Sequence, residues 1–158
     1  MKIRPILLSD IEQVVQLENK AWTIQNTPAP LPLTNKNKII QRFEKDTHYL
    51  IAEKDGNVLG VLHYEPYYSF PSGHHVVTFG IAVDEKERKK GVGRRLIKSF
   101  LEEAKEDYQK VQLHILATNQ EVLSFFENLG FTEEARLNKQ FFLNGQYVDD
   151  LIYTLYLS

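Results

Sequence analysis

The segment 87–104, ERKKGVGRRLIKSFLEEA, combines two glycines and clustered basic residues with the start of an amphipathic helix. The first turn of a helix presents unpaired amide N–H groups, and its dipole adds about half a positive charge. Gly91 and Gly93 leave that backbone open to a large anion. These features predict a cradle for a diphosphate group, and a solubilising basic loop is the alternative. The surrounding cations are Arg88, Lys89, Lys90, Arg94 and Arg95.

The two common nucleotide-binding loops do not fit this segment. A nicotinamide fingerprint needs a third glycine three residues after Gly93, where Leu96 stands. A nucleoside-triphosphatase loop needs Gly-Lys-Ser/Thr, and this chain has Gly93-Arg94-Arg95. The segment also lies in the middle of the chain, after strands of antiparallel type. Neither nucleotide class is therefore favoured.

The composition indicates a soluble protein with one domain over residues 1–158. Its 158 residues are 42% hydrophobic and 25% charged, which is ordinary for a globular domain. The absence of cysteine excludes disulfides, thiolate metal sites and a cysteine nucleophile, and is compatible with a cytoplasmic location. The formal net charge of −2 argues against a nucleic-acid binder. No apolar run is long enough for a membrane span, and 6–8 is too short for a signal peptide.

Apolar periodicity and turn residues predict a mixed α/β domain in the order β-α-α-β-β-β-α-β-α-β-β. A capping box at 9–12 would start the first helix with the Ser9 hydroxyl. Asn119 is the expected N-cap of the last helix, and Gly130 follows its end. Predicted strands cover 1–8, 48–53, 58–65, 75–83, 111–117, 131–143 and 146–157, the other helices lie at 34–45 and from 91, and Asp-Gly and Asn-Gly hairpin turns lie at 55–56 and 144–145.

Two motifs resemble the GNAT superfamily of acyl-CoA-dependent N-acyltransferases. Arg88-x-x-Gly91-x-Gly93, after IAVDEKER, is similar to the family signature Arg/Gln-x-x-Gly-x-Gly/Ala. LHILATNQEVLSFFENLGF at 113–131 resembles the family's strand, asparagine, helix and closing FYEKLGF-like segment. The resemblance implies a single-domain GNAT fold, with a mixed, mostly antiparallel twisted sheet of about seven strands and about four helices. It also implies acetyl transfer from acetyl-CoA to a primary amine in a ternary complex.

The resemblance further implies a binding site for coenzyme A and indicates no metal. The amides around 88–93 would bind the pyrophosphate, and strand 81–83, splayed from the next strand at a bulge, would bind the pantetheine arm. That strand would also polarise the thioester carbonyl, where attack builds negative charge. Asn119 would contact the cofactor arm, with a plain N-cap as the alternative. The implied cofactor-binding residues are Ile81, Ala82, Val83, Arg88, Lys89, Lys90, Gly91, Val92, Gly93, Arg94, Arg95, Asn119, Phe125 and Phe126.

One position departs from the family pattern. Many relatives carry a tyrosine where this chain has Phe126, and that tyrosine is taken to protonate the departing thiolate. Because a cysteine-like thiol has a pKa near 8.5, acid assistance is useful but not indispensable. Tyr147, Tyr153 or a water are alternative donors. The departure favours a second interpretation, in which a GNAT-fold protein binds acyl-CoA with weak or no catalysis.

His114 is the candidate catalytic base. A primary amine must lose a proton before it attacks, and relatives acting on protein N-termini carry a glutamate at the corresponding place. Histidine side chains titrate near neutral pH, so His114 could take this proton directly or through water. A half-buried structural histidine is the alternative, and His74, His75 and Glu65 are further candidates.

The resemblance places the amine acceptor between the first helix pair, the loop before strand 75–83 and the last hairpin. Aromatic faces with the nearby Asp149 and Asp150 would suit a cationic amine, although such aspartates can simply be solvated. A small-molecule amine and a peptide amine both remain open as the partner, and an exposed last strand could pair in a homodimer. The aromatic residues are Trp22, Tyr64, Tyr67, Tyr68, Phe70, Phe141, Phe142 and Tyr147.

Overall fold

A seven-stranded sheet with the order β1-β2-β3-β4-β5-β7-β6 forms the centre of the protein. The computed structural model describes residues 1–21, 27–29, 31, 34–45 and 47–157. Within these ranges, no helix is both long and apolar enough to cross a bilayer. The strands are β1 Lys2–Pro5, β2 His48–Lys54, β3 Asn57–Pro66, β4 Val76–Val83, β5 Lys110–Leu116, β6 Thr132–Leu143 and β7 Gln146–Tyr156, and the helices are α1 Ile11–Ala21, α2 Lys36–Phe43, α3 Val92–Ala104 and α4 Gln120–Asn128.

Helices cover the two faces of the sheet, one pair on each side. One core joins α3 and α4 to residues such as Leu62 and Phe79, and the other joins α1 and α2 to residues such as Val61 and Ala82. This split follows from the alternation of side chains along each strand. The predicted mixed α/β fold, with a mostly antiparallel sheet of about seven strands and about four helices, is confirmed.

The start of the first helix differs from the prediction. β1 ends at Pro5, and Ser9 lies inside a 3-10 turn, Leu8–Asp10, so it is not an N-cap. The Asp10 carboxylate accepts a hydrogen bond from the Leu7 amide at 2.7 Å. It also accepts two hydrogen bonds from the Arg4 guanidinium, at 2.7 and 2.9 Å. The capping-box prediction was wrong because this ion pair with β1 holds the carboxylate at the helix start.

An opening in the sheet separates β4 from β5. These two strands are parallel, and they pair only at Val76 with Lys110 and Val77 with Val111. β5 instead pairs with β7 along its whole length. The register of β4 with β3 is unbroken, so the predicted bulge in β4 is absent. The expected splay therefore arises because pairing with β5 stops, which leaves the backbone of 78–83 free on that side.

The edge strand of the last hairpin is β6, and β7 lies between β5 and β6. The prediction of an exposed last strand was therefore wrong. β6 carries two register shifts, and Lys139 within the second has a φ of 51°. Irregular, charged edge strands pair poorly with another sheet.

Candidate active site

A cavity of about 870 Å³ occupies the opening between β4 and β5. Ile81 and Val83, which pack on the side of α3 and α4, line it together with Gly80 and with Ala82, which packs on the side of α1 and α2. Ala21, at the end of α1, also borders the cavity. Since successive strand residues point to opposite faces, this cavity reaches both sides of the sheet. Two ligands that approach from opposite faces could therefore meet beside β4.

The glycine loop, residues 88–95, forms one end of this cavity. The first helical hydrogen bond of α3 runs from the Arg95 amide to the Gly91 carbonyl at 3.1 Å. The amides of 92–94 therefore precede the hydrogen-bonded part of the helix. Lys89 and Gly91 have φ values of 64° and 88°, and such left-handed residues help to turn successive amides toward one side. The loop can therefore present several donors to an anion.

Gly93 keeps the space beside these amides open. A Cβ at this position would lie 3.6 Å from Val83 Cγ2 and 3.8 Å from Phe125 Cζ. A methyl group would thus fit, but a larger side chain would extend between β4 and α4. The requirement for a small residue at Gly93 is therefore one of space, whereas at Gly91 it is one of backbone conformation.

Most of the predicted cofactor-binding residues lie on this one cavity. Two do not: the Lys90 ammonium lies 3.7 Å from the Glu87 carboxylate, and the Arg95 guanidinium donates to the Met1 carbonyl at 3.4 Å. Their role in cofactor binding stays a prediction. The predicted residues that line the cavity are Ile81, Ala82, Val83, Arg88, Lys89, Gly91, Val92, Gly93, Arg94, His114, Asn119, Phe125 and Phe126.

Asn119 stands at the N-cap position of α4, but its side chain makes no capping hydrogen bond. Its backbone adopts φ −89° and ψ 61°, away from the extended conformation of most N-caps. Asn119 lines the cavity instead. The interpretation of Asn119 as a plain N-cap is therefore not supported, and its carboxamide remains available to a ligand.

His114 lies on the cavity wall with both ring nitrogens hydrogen-bonded. Its Nδ1 is 2.6 Å from Asp150 Oδ2, and its Nε2 is 2.6 Å from the Tyr67 hydroxyl. Because a carboxylate only accepts, we assign the proton to Nδ1, and the Tyr67 hydroxyl then donates to Nε2. Asp150 is only 4% exposed, whereas the His114 side chain is 39% exposed. This arrangement is typical of a histidine base whose tautomer is fixed by a buried carboxylate.

The comparison with known proteins decides the family. The sequence model of the Acetyltransferase (GNAT) family matches residues 11–131. The chain belongs to the GNAT family. An N-alpha-acetyltransferase of Sulfolobus acidocaldarius is 27% identical over 154 residues, which cover 92% of this chain and 87% of the relative.

Solved GNAT-like structures agree with the fold. A crystal structure of a protein from Streptococcus mutans UA159 is 62% identical to this chain, has a TM-score of 0.98 and covers 100% of both chains. A GNAT superfamily phosphinothricin acetyltransferase from Sinorhizobium meliloti was solved in complex with acetyl-CoA. It is 16% identical, with a TM-score of 0.87 over 99% of this chain and 88% of its own. At this identity, the likeness to the second protein shows the GNAT fold alone.

The other predicted proton donors and acceptors do not line the cavity between β4 and β5. His74 Nε2 lies 3.1 Å from the Ser69 carbonyl, and Glu65 accepts from the Thr47 hydroxyl at 2.9 Å. Tyr153 donates to Glu127 at 2.6 Å, and burial raises the pKa of Tyr153 to about 12. His75 and the exposed Tyr147 also lie outside the lining.

The predicted aspartate pair does not form one pocket, although Asp150 lines the cavity. Asp149 accepts hydrogen bonds from the Lys139 amide and from Arg136, both at 2.8 Å, and the former is the main cause that lowers the pKa of Asp149. Asp150 is bound to His114. The two carboxylates point to opposite faces of β7 because they are adjacent in a strand. The expectation that both aspartates face one cationic amine is therefore wrong, because only Asp150 reaches the cavity.

The predicted aromatic residues lie in different parts of the structure. Phe141 lines the cavity, whereas Tyr64 is buried against α3 and donates to Glu103 at 2.9 Å. Phe142 and Tyr147 form an exposed pair at the hairpin tip, with ring centroids 5.1 Å apart. Trp22 lies outside the described residues.

The two partners of His114 were missed by the sequence analysis. Tyr67 was predicted only as an acceptor-side aromatic residue, and Asp150 only as a carboxylate beside the acceptor. They are 47 and 36 residues from His114 along the chain. The one available signal was the pair of adjacent aspartates, Asp149 and Asp150, in the otherwise apolar segment 148–153, since a buried carboxylate in a strand needs a partner.

Proposed function

We propose that this protein is an N-acetyltransferase that transfers an acetyl group from acetyl-CoA to a primary amine. The amine attacks directly within a ternary complex, and the absence of cysteine agrees with a route that has no cysteine-bound acyl intermediate. The observation that carries this proposal is the cavity through the sheet, which has the glycine loop at one end and His114 at another position of its wall. Membership of the GNAT family supports the same conclusion.

The shape and charge of the cavity fit acetyl-CoA. The amides of 92–94 and the side chains of Arg88, Lys89 and Arg94 suit a pyrophosphate. The backbone of 78–83 that no longer pairs with β5 suits an arm that carries amide groups. Acetyl-CoA, when bound, supplies the acetyl group as an activated thioester. The backbone of β4 then offers donors to the oxygen on which negative charge develops.

His114 removes the proton of the attacking amine in this proposal. Because the Tyr67 hydroxyl occupies Nε2, the proton passes to the Tyr67 oxygen while the Tyr67 proton moves to His114. The Asp150 carboxylate stabilises the imidazolium through Nδ1–H. The relay of Tyr67, His114 and Asp150 thus converts an ammonium into a nucleophile.

The thiol leaves without help from a phenol on α4. Phe126 is 5% exposed and packs against Phe79 and Phe131, with ring centroids 5.8 and 5.2 Å away. Its ring has no proton to donate. This feature favours the second candidate function, binding of acyl-CoA with weak or no catalysis. A thiol leaving group with a pKa near 8.5 still permits departure as the thiolate.

Calorimetry and thiol release test the proposal together. Titration of the purified protein with acetyl-CoA should give saturable binding, and a panel of primary amines should include acceptors that accelerate CoA release. Saturable binding without turnover on any amine would favour the second candidate. Absence of any binding to acetyl-CoA or CoA would refute both.

A further inference from the structure

Three aromatic side chains form a partly exposed cluster beside the catalytic relay. This aromatic cluster consists of Tyr67, Tyr68 and Phe70, in the loop between β3 and β4. The ring centroids of Tyr67 and Tyr68 are 4.8 Å apart, and those of Tyr68 and Phe70 are 5.0 Å apart. Tyr68 is 40% exposed and Phe70 is 51% exposed. Contiguous exposed aromatic surface of this kind marks binding sites in soluble proteins.

The aromatic cluster begins at the group that would deprotonate the acceptor. The Tyr67 ring lies nearly parallel to that of His114, with centroids 6.0 Å apart and planes 12° apart, and its hydroxyl contacts Nε2. An amine that reaches this relay therefore carries its own substituent to the neighbourhood of Tyr68. The cluster thus adjoins the proposed active site through His114, while its own three side chains lie outside the cavity lining.

The loop holds the aromatic cluster in place before any acceptor arrives. The Tyr67 amide donates to the Val76 carbonyl at 2.8 Å, and the Gly73 amide donates to the Phe70 carbonyl at 3.1 Å. Gly73 is required for packing, since a Cβ there would lie 2.7 Å from Tyr68 Cβ. A preorganised apolar surface loses little entropy when it binds a ligand.

The charge around the aromatic cluster favours an uncharged substituent. The loop sequence at 67–75, YYSFPSGHH, contains no acidic residue. The carboxylates on its two sides are already hydrogen-bonded, Asp150 to His114 and Glu65 to Thr47. The loop itself offers a polycation no carboxylate, whereas it offers a large apolar side chain three aromatic rings.

We propose that the aromatic cluster selects acceptors in which the reacting amine is the N-terminal amine of a peptide with a large apolar or aromatic first side chain. Such a terminus places the amine and the side chain on one Cα, so that the amine can reach Tyr67 while the side chain packs on Tyr68 and Phe70. This inference rests on the proposed function. It names the substrate class of the same site.

The test measures the kinetics of three acceptors, each with the wild-type protein and with the variant Phe70→Ala. Two pentapeptides differ only in their first residue, phenylalanine or serine, and the third acceptor is spermidine. Wild type should prefer the phenylalanine peptide. Phe70→Ala should raise the KM for this peptide about 5- to 20-fold with little change in kcat, because packing is lost without loss of the relay. The KM for the serine peptide should change by less than about 2-fold.

Phe142→Ala is the matched control. Phe142 is 63% exposed, and its ring pairs with Tyr147 at the hairpin tip and not with the aromatic cluster, so its replacement should change the kinetics of none of the three acceptors. A wild-type preference for spermidine, or an equal effect of Phe70→Ala on all acceptors, would overturn the proposal.

Binding measurements separate this proposal from the proposed function. Calorimetry of both peptides against protein saturated with CoA requires no turnover, and the phenylalanine peptide should bind more tightly than the serine peptide only when Phe70 is present. Equal binding of the two peptides would refute the acceptor class even if acetyl-CoA is used. Turnover of no amine, with selective peptide binding retained, would refute catalysis and leave the acceptor class supported.

Discussion

His114 depends on two residues that reach it from different strands and loops. Asp150 on β7 holds Nδ1, and Tyr67 after β3 holds Nε2, each at 2.6 Å. A histidine fixed in this way loses little conformational freedom when it accepts a proton. The side chain thus gains its proposed role from neighbours, because a lone strand histidine has no fixed tautomer.

Asp150→Asn should lower kcat at least about 10-fold, since the neutral amide cannot stabilise an imidazolium. Acetyl-CoA affinity should stay within about 2-fold because the glycine loop is untouched. Steady-state kinetics and calorimetry measure the two quantities. An unchanged kcat would return His114 to a structural role, and thermal melting checks that the variant remains folded.

Tyr67→Phe should separate the relay from the aromatic cluster. The phenyl ring can keep its packing on Tyr68, but the hydroxyl that contacts His114 is lost. We expect kcat to change and its pH profile to shift, while the binding of the phenylalanine peptide to the CoA complex stays within about 2-fold. A pH–rate profile and calorimetry measure these effects. Loss of peptide binding with an unaltered pH profile would assign Tyr67 to the acceptor surface alone.

At the scale of elements, the junction of β4 and α3 shows how one short segment prepares a binding site. β4 continues over 78–83 after its pairing with β5 has stopped, and Gly91, the N-cap of α3, has a φ of 88°. The helix also packs closely on β3, because a Cβ at Gly60 would lie 2.9 Å from Leu96 Cδ1. The start of α3 is therefore held rigidly against the sheet.

Gly93→Val should weaken acetyl-CoA binding by about 10-fold or more, since the branched side chain would project toward the cavity between Val83 and Phe125. Gly93→Ala is the matched control, and its methyl group should be tolerated at contacts of 3.6–3.8 Å. Calorimetry measures both affinities. Equal affinity of the valine variant and wild type would contradict the role of this loop in cofactor binding.

Asp10→Asn should destabilise the junction of β1, β2 and α1. Arg4 binds Asp10 with two hydrogen bonds and also contacts Glu53 at 3.0 Å. With the carboxylate gone, a largely buried guanidinium loses its main partner, and we expect the free energy of unfolding to fall by roughly 2–4 kcal/mol. Urea denaturation measures this quantity. A decrease in the free energy of unfolding of less than about 1 kcal/mol would show that the ion pair contributes little.

At the scale of the whole molecule, the core between the sheet and α1 and α2 contains a buried carboxyl group. Glu18 is 3% exposed, and its Oε1 has no hydrogen-bond partner among the residues that the structure describes. Burial raises the pKa of Glu18 to about 7, with a smaller opposing effect from Arg42. Folding therefore favours the protonated form of this group.

The free energy of unfolding should decrease as pH rises from about 4.5 to about 7. In this window the folded protein binds the Glu18 proton more tightly than the unfolded chain does. A rise in pH therefore shifts the equilibrium toward the unfolded state. Glu18→Gln should remove this dependence and should be more stable than wild type at pH 8 by about 1–3 kcal/mol. Urea denaturation at pH 5 and 8 measures it. Parallel pH curves for the two proteins would contradict the assignment.

Local chemistry in the sequence determined the glycine loop, the element order and the two hairpin turns. Asp55, Gly56, Asn144 and Gly145 all have positive φ, as the Asp-Gly and Asn-Gly turns require. These features depend on backbone sterics and periodicity within a few residues. Such short-range effects act before the chain is folded.

Only the tertiary structure decided the partners of His114, the inner position of β7 and the use of Asp10 at the start of α1. Each depends on residues that are distant in sequence but adjacent in space, such as Tyr67 and His114, 47 positions apart. Polar side chains elsewhere in the sequence are of the right type to make the same contact. The choice among them is made by strand order and packing, which short-range propensities do not specify.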